Sequence, residues 1–231
     1  SAPQLVSSAM PPVDEANLDA IFKAYDIRGT VPDQLDDDLL ERIGAAVGRF
    51  AADSGATRLL VAHDMRPTGP VFADAFAHGA IGQGIDVELL GLSSTDMLFF
   101  ASGALDAPGA MLTASHNPAQ YNGVKLCLAG ARPIGADTGL ATIRAMTAEP
   151  PAPASVTGSI SRRDDVLDLF VAHVHTFVDV SALRPLRVVA DAANGMGGLI
   201  APAVFASLPF ELEMLYGELD GTFPNHPADP I

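Results

Sequence analysis

The stretch Thr113-Ala114-Ser115-His116-Asn117-Pro118 sets a hydroxyl beside an imidazole in a turn closed by Asn-Pro, and Tyr121-Asn122-Gly123-Val124-Lys125 then delivers a lysine onto the next strand. By itself the Ser-His pair means little, because neighbours on an extended loop usually point apart; it is the whole string that marks the loop. The apolar run Gly109-Ala110-Met111-Leu112 leads in as a short buried strand. Asn117-Pro118 stops regular structure, because the residue before proline is pushed away from helical geometry. Ser115 is therefore displayed at a strand's end, in what reads as an active-site loop. Serine hydrolysis is one chemistry to weigh, but Ser115 lacks the G-x-S-x-G frame and a third orienting group. A fluorophosphonate probe is expected to leave it unlabelled.

The elements that must position this loop alternate. Asp36 to Asp38 supply helix-start residues, and Leu39, Ile43, Val47 and Phe50 recur at helical spacing until Gly55. Arg58 to Ala62 reads as a buried strand and His63-Asp64-Met65-Arg66-Pro67 as the loop at its end. Gly69-Pro70 opens a helix with Phe72, Phe76 and Ala80 on one face; Ile85 to Leu90 is a strand and Thr95 to Ser102 a short helix. Gly109 to Thr113 and Val124 to Leu128 are strands, and Asp137 to Met146 is a helix. The prolines of Thr147 to Ala154 stiffen the chain and keep it out of sheet or helix, which marks a linker. Beyond it the same grammar resumes: helix Asp164 to Val178, strand Leu186 to Ala190, glycine-rich turn Asp191 to Gly198, helix Leu199 to Leu208, strand Glu211 to Tyr216. The division is a flexible N-terminus over 1–19, a first α/β unit over 20–149, a linker over 150–160 and an incomplete second unit over 161–231, running to Pro230-Ile231 with no terminal helix to close it. Strand order is not legible from such alternation, but three-layer packing is.

Bulk properties narrow the function. The 231 residues, 48% hydrophobic, are enough to bury one large core or two ordinary ones. A formal net charge of -15 with no basic run excludes a nucleic-acid footprint and points to small-molecule partners. No segment reads as a secretion signal or membrane anchor: the longest apolar stretch, Leu199 to Phe210, is broken by Pro202 and Pro209 and is too short to cross a bilayer. A cytoplasmic location is the default, and oligomeric state is not legible. The lone cysteine, Cys127, reads as a small core residue. His173 and His175 lie two apart on a helix and face different ways, which makes them poor metal ligands.

The string TASHNP with YNGxK resembles the α-D-phosphohexomutase superfamily of phosphomannomutases and phosphoglucomutases. Three further stretches support the resemblance, in the family's order: Lys23-Ala24-Tyr25-Asp26-Ile27-Arg28-Gly29, Asp191 to Gly198, and Thr222-Phe223-Pro224-Asn225-His226-Pro227. The resemblance implies a three-layer α/β/α domain I with a mixed sheet, followed by the first part of a similar domain II. It also implies an Mg²⁺-dependent intramolecular phosphoryl transfer that interconverts hexose 1-phosphate and hexose 6-phosphate, of mannose or glucose. Ser115 would carry the phosphoryl group, with a hexose 1,6-bisphosphate as intermediate and activator.

Each residue has a reason within that reading. A phosphoserine carries about -1.5 to -2 charges at neutral pH, so transfer to an anionic sugar phosphate needs positive charge and in-line placement. Mg²⁺ supplies counter-charge in the family, held by the phosphoserine and by the aspartates of a DGDxDR-type loop. Only Ser115 of that ligand set occurs in this sequence, and the remaining ligands are expected beyond Ile231. Lys125 resembles the family's general acid/base. The only other lysine, Lys23, falls in a motif near the phosphate chemistry. Arg28 is read as a phosphate contact in preference to a salt bridge with Asp26. Tyr25 either packs in the core or shapes the serine pocket, and His116 either assists proton transfer or bonds backbone within the turn. Asn122 is a candidate substrate contact, although turn formation is the commoner use of Asn117 and Asn122 alike. Arg66 is expected to pair with Asp64. Thr113 favours this group over the phosphoglucosamine mutases, which more often carry serine there. A non-catalytic sugar-phosphate module would keep the fold and lose the charges.

Overall fold

The computed structural model describes residues 13–229. Helix α1 (Glu15–Ile21), capped by the Asp14 carboxylate on Ala16 N, precedes strand β1 (Ile27–Thr30). Leu18 and Ile21 of α1 are buried, so the flexible start expected over 1–19 does not extend that far; its residues 1–12 lie outside the described residues. Helix α2 (Asp37–Asp53) starts where the Asp36 carboxylate accepts from Leu39 N at 2.8 Å, a side-chain cap on an otherwise unpaired amide. It ends before Gly55, whose φ of +87° suits glycine. There follow β2 (Arg58–His63), α3 (Gly69–Ile81), β3 (Asp86–Leu92), α4 (Thr95–Leu105), β4 (Gly109–Leu112), β5 (Tyr121–Leu128), the short β6 (Arg132–Pro133), α5 (Leu140–Ala148) and β7 (Ile160–Arg162).

These strands form one mixed sheet in the order β1-β5-β4-β2-β3-β7, with β6 against β5. Strands β4, β2, β3 and β7 run parallel to one another, and β5 is antiparallel to both β4 and β1. Strand β2 shows why the architecture has three layers. Its Leu59 and Val61 join the core under α2, α3 and α5, while Leu60 and Ala62 join a second core under α4. Alternate residues of a strand point to opposite faces, and a strand apolar at every position needs cover on both. Helices α2 and α3 meet at glycines: a Cβ on Gly79 would sit 1.9 Å from the Glu41 carbonyl oxygen, and one on Gly44 would sit 2.0 Å from that of Phe76. Only hydrogen fits between these backbones.

The proline-rich stretch does not leave the first unit when it should. Ala154 N donates to Gly82 O and Gly158 N to Ile81 O, and Ile160–Arg162 then pairs in parallel with Val87–Leu89. The linker expected over 150–160 is therefore tied along the first sheet, and the start of the second unit moves past Arg162. Helix α6 (Val166–His175), strand β8 (Leu186–Asp191), helix α7 (Gly197–Phe205) and strand β9 (Phe210–Leu215) complete the elements. The second unit, expected to run to Ile231, is described only as far as Asp229; Pro230 and Ile231 lie outside the described residues. β8 and β9 pair in parallel as a sheet of two. Helix α6 stops before Phe177, which is exposed, and covers α4 through Phe100, whose ring stacks on His173 at 4.8 Å and meets Phe170 edge-on at 5.7 Å. His175 Nε2 lies 2.8 Å from Val204 O. Both histidines thus serve packing between helices.

Candidate functional site

Strand β4 is buried along its whole length, and the chain leaves it through Thr113 and Ala114, both buried, before Ser115 emerges into solvent. Thr113 Oγ1 donates to Asp64 Oδ2 at 2.6 Å and accepts from Ser115 N at 2.9 Å. One hydroxyl thereby ties the serine backbone to the end of β2. Ser115 has φ +55°, a left-handed conformation that costs a non-glycine residue about 1–2 kcal/mol and persists only where its surroundings enforce it. Its Oγ lies 3.4 Å from His116 Nδ1, and His116 is itself exposed. Of the two readings open for His116, the structure places its ring beside the hydroxyl.

Arg66 does more than pair with Asp64. The guanidinium is 1% exposed, sits 3.3 Å from Asp64 Oδ2 and turns its remaining donors on the backbone of the serine loop. Burial pushes its pKa down, Asp64 pushes it back up, and Arg28 repels it. Sequence reasoning missed this reach, because the acceptors lie some fifty positions ahead; the signal available was an arginine at a strand end with a single acidic neighbour.

The other cations cluster across β1 and β5. Arg28, on β1, bonds both Asp26 and Asn117 Oδ1, the latter at 2.5 Å, so the salt bridge weighed for it and a contact with the serine loop coexist. Lys125, on β5 and partly exposed, has Nζ 3.5 Å from Asp26 Oδ2. One buried carboxylate therefore holds both cations expected to meet phosphate. Two expectations need correction. Asn122 is fully buried, with Nδ2 donating to Thr68 Oγ1 at 2.9 Å and Oδ1 accepting from Gly123 N at 2.8 Å, so both ends of its amide are occupied and it fixes the loop instead of touching a ligand. Tyr25 is 81% exposed, which rules out core packing, and it does not line the serine cleft. Lys23 turns back to the Ala20 carbonyl in the last turn of α1, a favourable end for a cation. Cys127 is buried as expected, and burial raises its pKa.

A cleft of roughly 430 Å³ opens at Ser115, lined on one side by Met65, Ser94 and Asp96 and on the other by Ala193, Met196 and Phe223 of the second unit. The Asp191 to Gly198 turn reaches it through consecutive left-handed residues, Ala193 (φ +45°) and Asn194 (φ +58°). Asn194 is buried and tied to Glu218 O and to Asn225 Nδ2. The segment from Thr222 to Asp229 faces His116–Gln120 across a neighbouring cleft of about 760 Å³. His226 anchors that segment, with Nε2 3.1 Å from both Asp191 oxygens. The Pro227 carbonyl and then Asp191 raise the pKa of His226, while the Ala193 amide and then His226 lower that of Asp191.

Among the described residues no group of three His, Cys, Asp or Glu side chains could hold a metal. Of the two carboxylates lining the cleft, Asp64 beneath Ser115 has both oxygens engaged, and Asp96 at the start of α4 is exposed. The exposed oxygen that the serine loop offers a cation is that of Ser115, which fits a share in a metal site and not a whole one. The ligands expected beyond Ile231 fall outside the described residues, as does Ile231 itself.

Comparison with known proteins gives this arrangement a family. The family model described as phosphoglucomutase/phosphomannomutase, alpha/beta/alpha domain I, matches residues 19–152. A protein of Xanthomonas campestris pv. campestris named for phosphohexose mutases is 41% identical over 212 residues, covering 91% of this chain and 46% of that protein. A phosphomannomutase of Salmonella montevideo is 36% identical over 219 residues, covering 91% and 47%. A crystal structure of a phosphoglucomutase/phosphomannomutase family protein from Burkholderia thailandensis superposes with a TM-score of 0.81 at 33% identity, over 90% of this chain and 46% of that one. The chain spans about half the length of the curated relatives it matches.

Proposed function

The chain belongs to the phosphoglucomutase/phosphomannomutase family, and on that premise we propose that Ser115 relays a phosphoryl group between the 1- and 6-positions of a hexose, mannose or glucose. The observation that carries this reading is the exposed Ser115 hydroxyl, held in a left-handed conformation at the mouth of a cleft by a backbone fastened from below. A displacement at phosphorus needs its attacking oxygen on a fixed line, and a rigid display supplies one.

In the first half of the cycle a sugar hydroxyl attacks the phosphorus of phosphoserine 115, its proton passes to a base, the P–Oγ bond breaks, and Ser115 Oγ takes up a proton. The product is a hexose 1,6-bisphosphate. After the bisphosphate turns over, Ser115 Oγ gives its proton to the base and attacks the other phosphorus. The bond to the sugar oxygen then breaks, that oxygen takes up the proton, and phosphoserine is restored. We assign the proton carrier to Lys125, assisted at the serine by His116, and phosphate binding to Arg28 and Lys125 together. Asp26 holds both cations until phosphate oxygens compete for them. Mg²⁺ would add counter-charge at the phosphoserine oxygen, its remaining ligands being the aspartates of the DGDxDR-type loop, which this sequence lacks. The partner in this reading is a phosphosugar, and the setting is the cytoplasm.

Intact-mass analysis tests the proposal. Incubating the full-length protein with a hexose 1,6-bisphosphate should add one phosphoryl group, and Ser115→Ala should abolish the addition. Uptake that persists in Ser115→Ala would refute it. The 231-residue chain alone is expected to show no mutase turnover in a coupled assay.

A further inference from the structure

Arg66 leaves none of its donors unused. A guanidinium carries five N–H groups in a planar fork. Here Nε bonds Asp64 Oδ2 at 3.3 Å, Nη1 bonds Pro118 O at 2.9 Å and Tyr121 O at 2.8 Å, and Nη2 bonds Ser115 O at 3.0 Å and Asn117 O at 2.7 Å. The four carbonyls span the loop from its first exposed residue to the start of β5. The loop bears the strained Ser115 yet has no buried side chains of its own between Ser115 and Gln120. Its shape is set from beneath by the arginine. From the other side the Phe223 ring lies 5.3 Å over the guanidinium carbon, and a Cβ on Gly221 would meet Arg66 Cα at 2.5 Å. Second-unit residues thus cover the clamp and keep water from competing for its hydrogen bonds.

We propose that Arg66 is the positioning residue of the phosphoryl relay: its fork fixes the 115–121 backbone so that Ser115 Oγ stays in line with the phosphorus. This rests on the phosphoryl-transfer reading of Ser115. Arg66 touches no substrate, so its loss lowers turnover and leaves substrate binding to Arg28 and Lys125. Lysine keeps the charge opposite Asp64 but offers at most three donors from one nitrogen, and so spans only part of the loop.

The test uses the full-length protein and its Arg66→Lys and Arg66→Ala variants, compared by thermal melting, steady-state kinetics on hexose 1-phosphate and phosphoryl uptake from hexose 1,6-bisphosphate. A folded Arg66→Lys protein should lose about 100-fold in kcat, since a misplacement near 1 Å costs that much, with KM within about threefold of wild type. Added guanidinium should restore Arg66→Ala by at least about tenfold where methylammonium does not, because only the planar ion refills the fork. Unchanged kcat in folded Arg66→Lys, or a raised KM at constant kcat, would overturn the assignment. Amide exchange in the wild-type protein stands apart from folding of the variants and from activity. The Asn117 and Tyr121 amides should exchange as slowly as those of β4, and free exchange there would overturn the clamp on its own. If wild type takes up no phosphoryl group but shows this protection, the relay fails and the clamp stands.

Discussion

Replacing Thr113 with valine removes one hydroxyl and almost nothing else. That hydroxyl donates to a buried carboxylate at 2.6 Å and accepts from the Ser115 amide at 2.9 Å. A hydrogen bond to a charged group contributes about 1.5–3 kcal/mol and a neutral one about 0.5–1.5. Asp64 retains the Arg66 donors and the Ser115 amide sits near solvent, so part of each loss is recovered. The net expectation is a destabilisation of about 1–4 kcal/mol. For a chain of this size 1 kcal/mol moves Tm by about 2–4 °C, which puts the shift at roughly 2–15 °C. Thr113→Ser keeps the hydroxyl and drops only a methyl, and should cost about 1 kcal/mol or less. Thermal and urea unfolding of the two variants side by side decides the matter. A valine variant within about 0.5 kcal/mol of wild type, inside the range of ordinary surface substitutions, or a serine variant as unstable as the valine one, would refute the reasoning.

Gly79→Ala should destabilise by about 1–3 kcal/mol despite better helix propensity, because the new Cβ would meet the Glu41 carbonyl at 1.9 Å; Gly103→Ala in α4, where the nearest atom is 3.9 Å away, should gain up to about 1 kcal/mol by the same unfolding assay. The Asp191–His226 pair should make docking of the 222–229 segment pH-dependent. With His226 raised above its ordinary 6.5, its contribution is complete below that pH and is lost as pH climbs through the raised value. With Asp191 lowered below 3.8, its contribution is present above that pH and is lost as pH falls through the lowered value. NMR titration of the His226 ring with and without Asp191→Asn reads this directly: the asparagine variant should titrate at lower pH, and an unchanged midpoint would count against the pair. Lys125→Met should lower kcat on hexose 1-phosphates by about 100-fold or more while Ser115 remains exposed to modification, as measured by coupled assay and intact mass.

Much of the first unit was legible because its signals are local. Helix α2 announces itself through the Asp36 cap, the recurrence of Leu39, Ile43 and Val47, and the closing Gly55, and β2 through an apolar run too short for a helix. The serine loop was legible for the same reason: its strand, turn and proline are contiguous. What escaped depends on distant partners. Strands β1 and β7 are four and three residues long and have no period to read; each exists because an edge of the sheet accepts it. Asn122 has the chemistry of a ligand contact, and only the arrival of Thr68 beside it shows that its amide is spent indoors. Tyr25 could equally be core or pocket until α1 and β1 close with its ring in solvent. The reach of Arg66 is the extreme case, since five donors become a clamp only when two strand ends lie side by side.

The left-handed backbone at residue 115 settles a matter of side-chain identity. Biology has a second aliphatic alcohol that carries phosphate, but threonine is branched at Cβ, and a branched side chain is a genuine outlier where φ is positive. Restoring threonine to a relaxed conformation would swing its oxygen out of the cleft; keeping the oxygen in place would load the main chain. A primary alcohol is what this corner of the chain tolerates, so the residue type at 115 is dictated by the backbone before any question of reactivity arises.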